Sequence, residues 1–293
     1  MSVKPDAGAP VLDALFAPRW AGGWTLARLF FGVAALELHK DRFFHVRDAL
    51  AHPEVVFNAG PAHVVDQVAV GAAGAWALWG LGLVGIGALL YGGRWARPGL
   101  WVWFLAYVGM VAALGLNVRV PERFIVWATL ALSVGPIGQR GLVSAYASPY
   151  GRYLLLGVYG SLYLSTGVMK ALEEDAWWDG SALAYALLDR WHGEGALAAW
   201  LSGQRALCVF GSAYTIVFEV AFVFLVGLRR LSLPILLMGV GMHIGIDVLL
   251  EVGPLGVMAM ALYPVLLDPG VGERLWGRAR PRLGRFAAWL ERQ

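Results

Sequence analysis

Between Asp66 and Arg94 the chain carries no charged residue, and comparable apolar runs recur along its length. Apolar stretches of about 18 residues or more read as membrane-spanning helices. Transmembrane strands fit poorly, because the runs are too long and lack the alternation of a strand with one lipid-facing side. A bilayer also requires every backbone polar group to be satisfied within the segment, which favours helices. Composition agrees: 59% of the residues are hydrophobic and 15% are charged, against about 25% charged in soluble domains. Mean hydropathy is +0.62.

The expected fold class is all-α, a polytopic integral membrane helical bundle of about eight transmembrane helices. The spans are read at about 20–38, 64–90, 98–116, 122–138, 151–170, 206–227, 231–250 and 254–268. Three parts follow: a cytoplasmic N-terminal segment, 1–19; a transmembrane domain, 20–269; and a basic amphipathic tail, 270–293. Loop charge gives the orientation. With the N-terminus inside, Lys4, Arg19, Arg94, Arg97, Arg140, Arg152, Arg229, Arg230 and the tail arginines all fall on the cytoplasmic side. Most acidic residues fall outside, the positive-inside pattern. Both termini are therefore expected in the cytoplasm, with the protein in the inner membrane of a bacterial cell. The tail, with Leu275, Trp276, Leu283, Phe286 and Trp289, is expected to lie on the inner leaflet.

Charge and cysteine narrow the function classes. The pI near 9.1 reflects arginines at loop edges and in the tail, and does not point to nucleic acid. Membrane lipids are the first expected partners. Cys208 is the single cysteine, so an intramolecular disulfide and a thiolate metal cluster are both excluded. No cleavable signal peptide is read at the N-terminus.

Two outside segments are long enough for structure of their own. His39 to His63 is charged and rich in histidine, and His39, His45, His52 and His63 are read as solvated. Leu172 to Arg205 holds Trp177, Trp178, Trp191 and Trp200, and its stretch from Ser181 to Leu201 reads as one amphipathic helix with Ser181 as its cap. Together the segments could lid an outward-facing cavity. The glycines between Gly80 and Gly87 read as small residues at a helix–helix contact.

Ionisable groups inside spans are costly, so each needs a partner or a task. Arg28 and Glu219 fall at similar depth in their spans and are expected to pair, either as a structural lock between helices or as part of a relay. Removing one partner should then harm more than removing both. His243 and Asp247 stand one turn apart, a spacing at which a carboxylate can orient an imidazole. Tyr159, Tyr163, Thr166 and Lys170 share one helical face, expected to form one wall of a polar pocket. Lys170, at a span end, is either a snorkelling anchor or a functional base. A metal held by His243, Asp247 and Glu219 would lack a second histidine at ligand spacing, and no metal is expected.

Four segments resemble the HTTM domain, the membrane domain shared with vitamin K-dependent gamma-carboxylase. Leu26-Ala-Arg-Leu-Phe-Phe-Gly32 is similar to the family's opening arginine–apolar–glycine helix. Tyr163 to Gly180 is similar to its signature of tyrosine, a glycine step, lysine, acid and W-x-x-G, with Lys170 at the lysine position and Trp177 and Gly180 at the last motif. Glu219 matches an acidic position, and His243, in Gly241-Met-His-Ile-Gly245, matches the family's histidine helix. The resemblance covers roughly residues 20–269. It implies Lys170 as a general base acting on vitamin K hydroquinone or another quinol, in carboxylase- or oxygenase-like chemistry. A lysine acts as a base only from its neutral form, which an apolar site favours.

Met169 stands at the first position of the family's paired lysines, Asn117 to Arg123 lacks a histidine found there, and the carboxylase's large lumenal domain has no counterpart in this sequence. These differences argue against protein glutamate carboxylation. They favour a component that works with a separate peptide or protein partner. The functional expectation is thus catalytic residues Lys170, His243 and Asp247, with Tyr159, Tyr163, Thr166, Trp177 and Trp178 binding a lipidic or quinone-like substrate on the periplasmic side. The alternative is a non-catalytic membrane partner or transporter. Against transport, the paired broken helices of repeated halves are not evident.

Overall fold

The structure is a computed structural model that describes residues 17–51, 72–113, 120–138, 146–173, 175–189, 193, 195–250, 255–290 and 292. The apolar runs become helices: α1 (Gly22–Ala51), α2 (Ala72–Tyr91), α3 (Ala96–Ala113), α4 (Val120–Val134), α5 (Tyr150–Glu173), the short α6 (Asp175–Trp178), α7 (Ser181–Leu188) and α8 (Gly195–Ser202). Then follow α9 (Arg205–Leu225), α10 (Ser232–Leu249), α11 (Leu255–Leu266), α12 (Pro269–Leu283) and α13 (Arg285–Leu290). Two-residue strands β1 (Arg19–Trp20) and β2 (Tyr146–Ala147) pair antiparallel, Arg19 opposite Ala147.

Three helices among the described residues are long and apolar enough to cross a membrane: Ala73–Tyr91, Arg205–Leu225 and Ser232–Leu249. A fourth follows if α11 and α12, bent by 95° at their junction, count as one broken span; α4 is apolar from Phe124 to Val134 but short. Only 28% to 33% of each of the three segments is buried. Their outward side chains include Val84, Phe210, Phe224, Leu237 and Val248, all more than half exposed. Water does not tolerate apolar surface of that extent on a monomer, whereas acyl chains do.

Glycines set the helix spacing. On α2 and α3, a Cβ on Gly85 would lie 2.8 Å from the Gly99 oxygen, and one on Gly99 would lie 2.6 Å from the Gly85 oxygen. The two backbones therefore touch, as small residues allow. Gly82 likewise makes room for the His39 ring, while Gly80 and Gly87 face open space. The expected glycine contact is thus carried by two of the four. The core runs through Phe31, Trp103 and Tyr107 on one side, and through Tyr159, Tyr163, Phe218 and Phe222 on the other.

One end of the bundle gathers arginines, and three of them satisfy the last carbonyls of a neighbouring helix. Arg28 of α1 donates to the Leu89 and Leu90 carbonyls at the end of α2, at 2.7 and 2.8 Å. Arg97 of α3 donates to Gly135 just beyond α4, and Arg152 of α5 to Leu266 at the end of α11, both at 3.0 Å. A helix leaves its final C=O groups unpaired and carries partial negative charge there, so a guanidinium suits the position.

Four expectations change. First, α1 continues through the first outside segment as far as Ala51. Second, His39 is fully buried rather than solvated: its Nε2 lies 2.7 Å from the Trp79 carbonyl, its own carbonyl accepts from Trp79 Nε1, and the two rings stack. The side chain of His45 and the whole of His52 and His63 lie outside the described residues. Third, the stretch from Ser181 to Leu201 is two helices rather than one. Fourth, Ser181 is not a cap; Gly180 precedes α7 and Asp179 Oδ1 accepts the Ser181 N–H at 2.9 Å. Trp191 lies outside the described residues.

Candidate functional site

Helix α5 builds the site. Tyr163 and Lys170 lie seven residues apart on one face, about 10 Å along the axis. Helix α9 can approach that face because Gly167 has no side chain: a Cβ there would sit 2.8 Å from the Glu219 Cβ. Across this contact Lys170 Nζ donates to Glu219 Oε1 at 2.6 Å. The Trp177 ring centroid lies 4.8 Å from the same ammonium, a cation–π contact. The Lys170 side chain is 21% exposed and that of Glu219 is 8% exposed, so a small ligand can reach the amine more readily than the carboxylate. Glu219 Oε2 is buried near the Thr166 hydroxyl and has no further hydrogen-bond partner among the described residues.

A second polar group sits deeper on the same face. The Tyr163 hydroxyl lies 2.7 Å from His243 Nε2 and 3.0 Å from the Tyr263 hydroxyl. With a neutral imidazole, this Tyr263–Tyr163–His243 chain can be hydrogen-bonded in either direction, according to the tautomer. Gly239 leaves room for the Tyr263 hydroxyl on the facing helix. The Thr166 hydroxyl, between the two groups, turns back onto the Leu162 and Tyr163 carbonyls.

Three parts of the expected site are corrected. Arg28 and Glu219 do not pair: Arg28 caps α2 while Glu219 takes Lys170. The reason is lateral, because α1 packs on α2 and α11 whereas α9 packs on α5 and α10. Asp247 does not orient His243. It is exposed, with its carboxylate against Gly256, and Tyr163 occupies the imidazole nitrogen instead. Tyr159 and Tyr163 do not line an open pocket. Tyr159 is fully buried among Phe124, Phe222 and Tyr263 and donates to the Ala259 carbonyl at 2.7 Å. Tyr163 packs between Phe218 and Phe222. Lys170 and His243 therefore belong to one packed seam rather than a hollow chamber.

The tryptophan segment is held by its own geometry. Trp178 Nε1 donates to the Ala171 carbonyl at 2.9 Å, and the ring is half exposed. Gly180 has φ +81°, and a Cβ there would lie 2.5 Å from the Val209 nitrogen of α9. Only glycine meets both demands without strain, which gives the W-x-x-G pattern a structural cause. The side chain of Glu173 and the whole of Glu174 and Glu251 lie outside the described residues.

Tyr263 was missed at the sequence level. The available signal was a lone polar-tipped aromatic within the apolar helix α11. Two clefts open elsewhere on the surface. One, of about 690 Å³, lies between α4 and α5 beside Trp127 and Ser161; the other, of about 520 Å³, lies between α1, α10, α11 and the tail. Lys170 lines neither. Among the described residues no group of three or more His, Cys, Asp or Glu converges as a metal site would require.

No family model matches the chain, and no curated protein or solved structure is significantly similar to it. The class defined by the fold is an all-α protein whose apolar helices are compatible with a multi-pass membrane protein.

Proposed function

We propose that this is a multi-pass inner-membrane protein of the HTTM type that accepts a proton from a lipid-soluble acid, a quinol or similar hydroxyl compound, at Lys170. The single observation that carries the reading is the Lys170–Glu219 pair. It is a 2.6 Å contact at one end of the bundle, beside the Trp177 ring, in which a part-exposed amine meets a buried carboxylate. Transfer of the Lys170 ammonium proton to the Glu219 carboxylate would leave a neutral amine, the form of lysine that can act as a base. A substrate hydroxyl beside the amine would lose its proton to the pair. A substrate hydroxyl would approach from the side of the part-exposed amine, and the Trp177 ring beside it suits a planar ring. A bound quinol would supply the oxidisable ring; Lys170, Glu219 and Trp177 would bind it and hold its proton.

In this reading eight helices cross the bilayer, α1 to α5 and α9 to α11, and both termini are cytoplasmic. The gathering of Arg28, Arg97 and Arg152 at one end supports that orientation. Lys170 lies twenty residues along α5 from Tyr150, about 30 Å away, hence at the periplasmic side. A separate peptide or protein would complete the activity.

The test uses purified protein and a reduced short-chain naphthoquinol. Ionisation of the bound quinol is read by its phenolate absorbance. The wild type should raise the ionised fraction, while Lys170→Arg and Glu219→Gln should abolish the rise with the protein still folded. Unchanged quinol ionisation in the wild type, or full retention in Lys170→Arg, overturns the proposal. The second reading is a non-catalytic partner or transporter. The same pair favours it in so far as it also staples α5 to α9; there Lys170→Arg should behave as the wild type.

A further inference from the structure

We propose that the basic end of the bundle holds one anionic phospholipid, its phosphate at Arg19 and Arg152 and an acyl chain in the cleft beneath the tail. The cleft, of about 520 Å³, is walled by α1, α10, α11 and the tail helices through residues such as Leu26, Phe30, Leu237, Val240, Leu275 and Leu283. It lies within the ordinary range of ligand sites, about 300–1,000 Å³. Its wall is apolar, as an acyl chain requires.

A small polar mouth adjoins it, sharing Trp20, Gly23, Pro264 and Leu267, and is lined by Arg19, Ser148 and Arg152. Arg19 and Arg152 lie close enough to feel one another's charge, with Asp268 as the nearby acid. Asp268 offsets part of the Arg152 charge, while its Oδ1 accepts the Val271 N–H at 3.1 Å. Arg274 reaches toward the same turn beside Gly270. Cations gathered at the mouth of an apolar slot match the two ends of an anionic lipid, charge to phosphate and wall to chain. The 95° bend between α11 and α12 creates the slot by laying the tail across the bundle flank.

This site stands apart from Lys170 and rests only on the membrane reading. The experiment takes the full-length protein, stripped of lipid in detergent, and titrates it with dioleoyl phosphatidylglycerol or dioleoyl phosphatidylcholine, counting retained lipid by native mass spectrometry. The wild type should retain one phosphatidylglycerol in preference to phosphatidylcholine. Each arginine near the headgroup is worth about fivefold in affinity. Arg19→Gln and Arg152→Gln should therefore each lower phosphatidylglycerol retention by about that factor and leave phosphatidylcholine unchanged. Ala279→Trp, which fills the cleft, should weaken both lipids. Arg152 also caps α11, so gel filtration and a thermal melt check that each variant is still folded. Equal retention of the two lipids by the wild type, an unchanged Arg19→Gln, or displacement of the lipid by millimolar inorganic phosphate would overturn the proposal.

Discussion

Arg28 of α1 ends α2: its guanidinium donates to the Leu89 and Leu90 carbonyls at 2.7 and 2.8 Å. Gly92 makes this possible, with φ +82° and a position where a Cβ would lie 2.5 Å from the Arg28 Nη1. Arg28→Met should cost about 2–4 kcal/mol, because two buried carbonyls lose a charged donor. Gly92→Ala should cost about 1–3 kcal/mol from a backbone conformation essentially confined to glycine, φ +82° with ψ −159°, and more from the displaced guanidinium. Thermal unfolding in detergent, followed by circular dichroism, checks both.

Lys170 and Glu219 should show strong coupling. Lys170→Met leaves a carboxylate in an apolar wall, and should destabilise by about 3–5 kcal/mol. The Lys170→Met/Glu219→Gln pair should recover much of that loss, since no buried charge remains. A double-mutant cycle measured by thermal unfolding gives the coupling; additive single losses would mean the contact is not formed in solution.

Tyr163 joins α5 to both α10 and α11 through one oxygen. Tyr163→Phe should lose about 1–3 kcal/mol, because the buried His243 nitrogen is left unsatisfied. Tyr263→Phe should lose less, since Tyr163 and His243 keep each other. Comparing melting temperatures of the two variants tests the order.

Asp247 should be dispensable where His243 is not. Asp247→Asn alters an exposed carboxylate that does not hold the imidazole, and its effect on stability should stay within about 0.5 kcal/mol. His243→Ala removes the Tyr163 partner and opens a buried space, and should cost about 2 kcal/mol or more. A melting shift of similar size in both variants would restore Asp247 as the orienting group.

Glycine at 167 and 180 should be replaceable only at a cost. Gly167→Ala pushes against the Glu219 Cβ and the Val220 backbone, and Gly180→Ala adds a left-handed backbone to a collision with Val209. Losses of about 1–3 kcal/mol are expected from such overpacking. Gly87→Ala, which faces open space, should be neutral or slightly stabilising through helix propensity. The contrast between these positions in thermal unfolding is the readout.

Helix positions were legible because hydropathy reports how long a segment stays out of water. The boundaries of α9, read at 206–227 and observed as Arg205–Leu225, illustrate this. Partners were not legible. Depth can be counted from a span end, so Arg28 and Glu219 looked like neighbours; which helices lie side by side depends on packing that a single sequence does not carry. The i, i+4 spacing of His243 and Asp247 placed both on α10, but a small rotation sends the imidazole to Tyr163 and the carboxylate to solvent. Irregular histidine spacing reads as solvation at His39, whereas α1 simply continues and stacks the ring on Trp79.

The backbone contact at Gly85 and Gly99 has a consequence for biogenesis. With a tight turn through Gly92 and Gly93 between them, α2 and α3 form a closely fitted hairpin whose end is capped by Arg28 of α1. In the proposed eight-span reading such a pair would enter the bilayer as one unit during synthesis, and a bulky residue at Gly85 or Gly99 would be felt first as slower insertion.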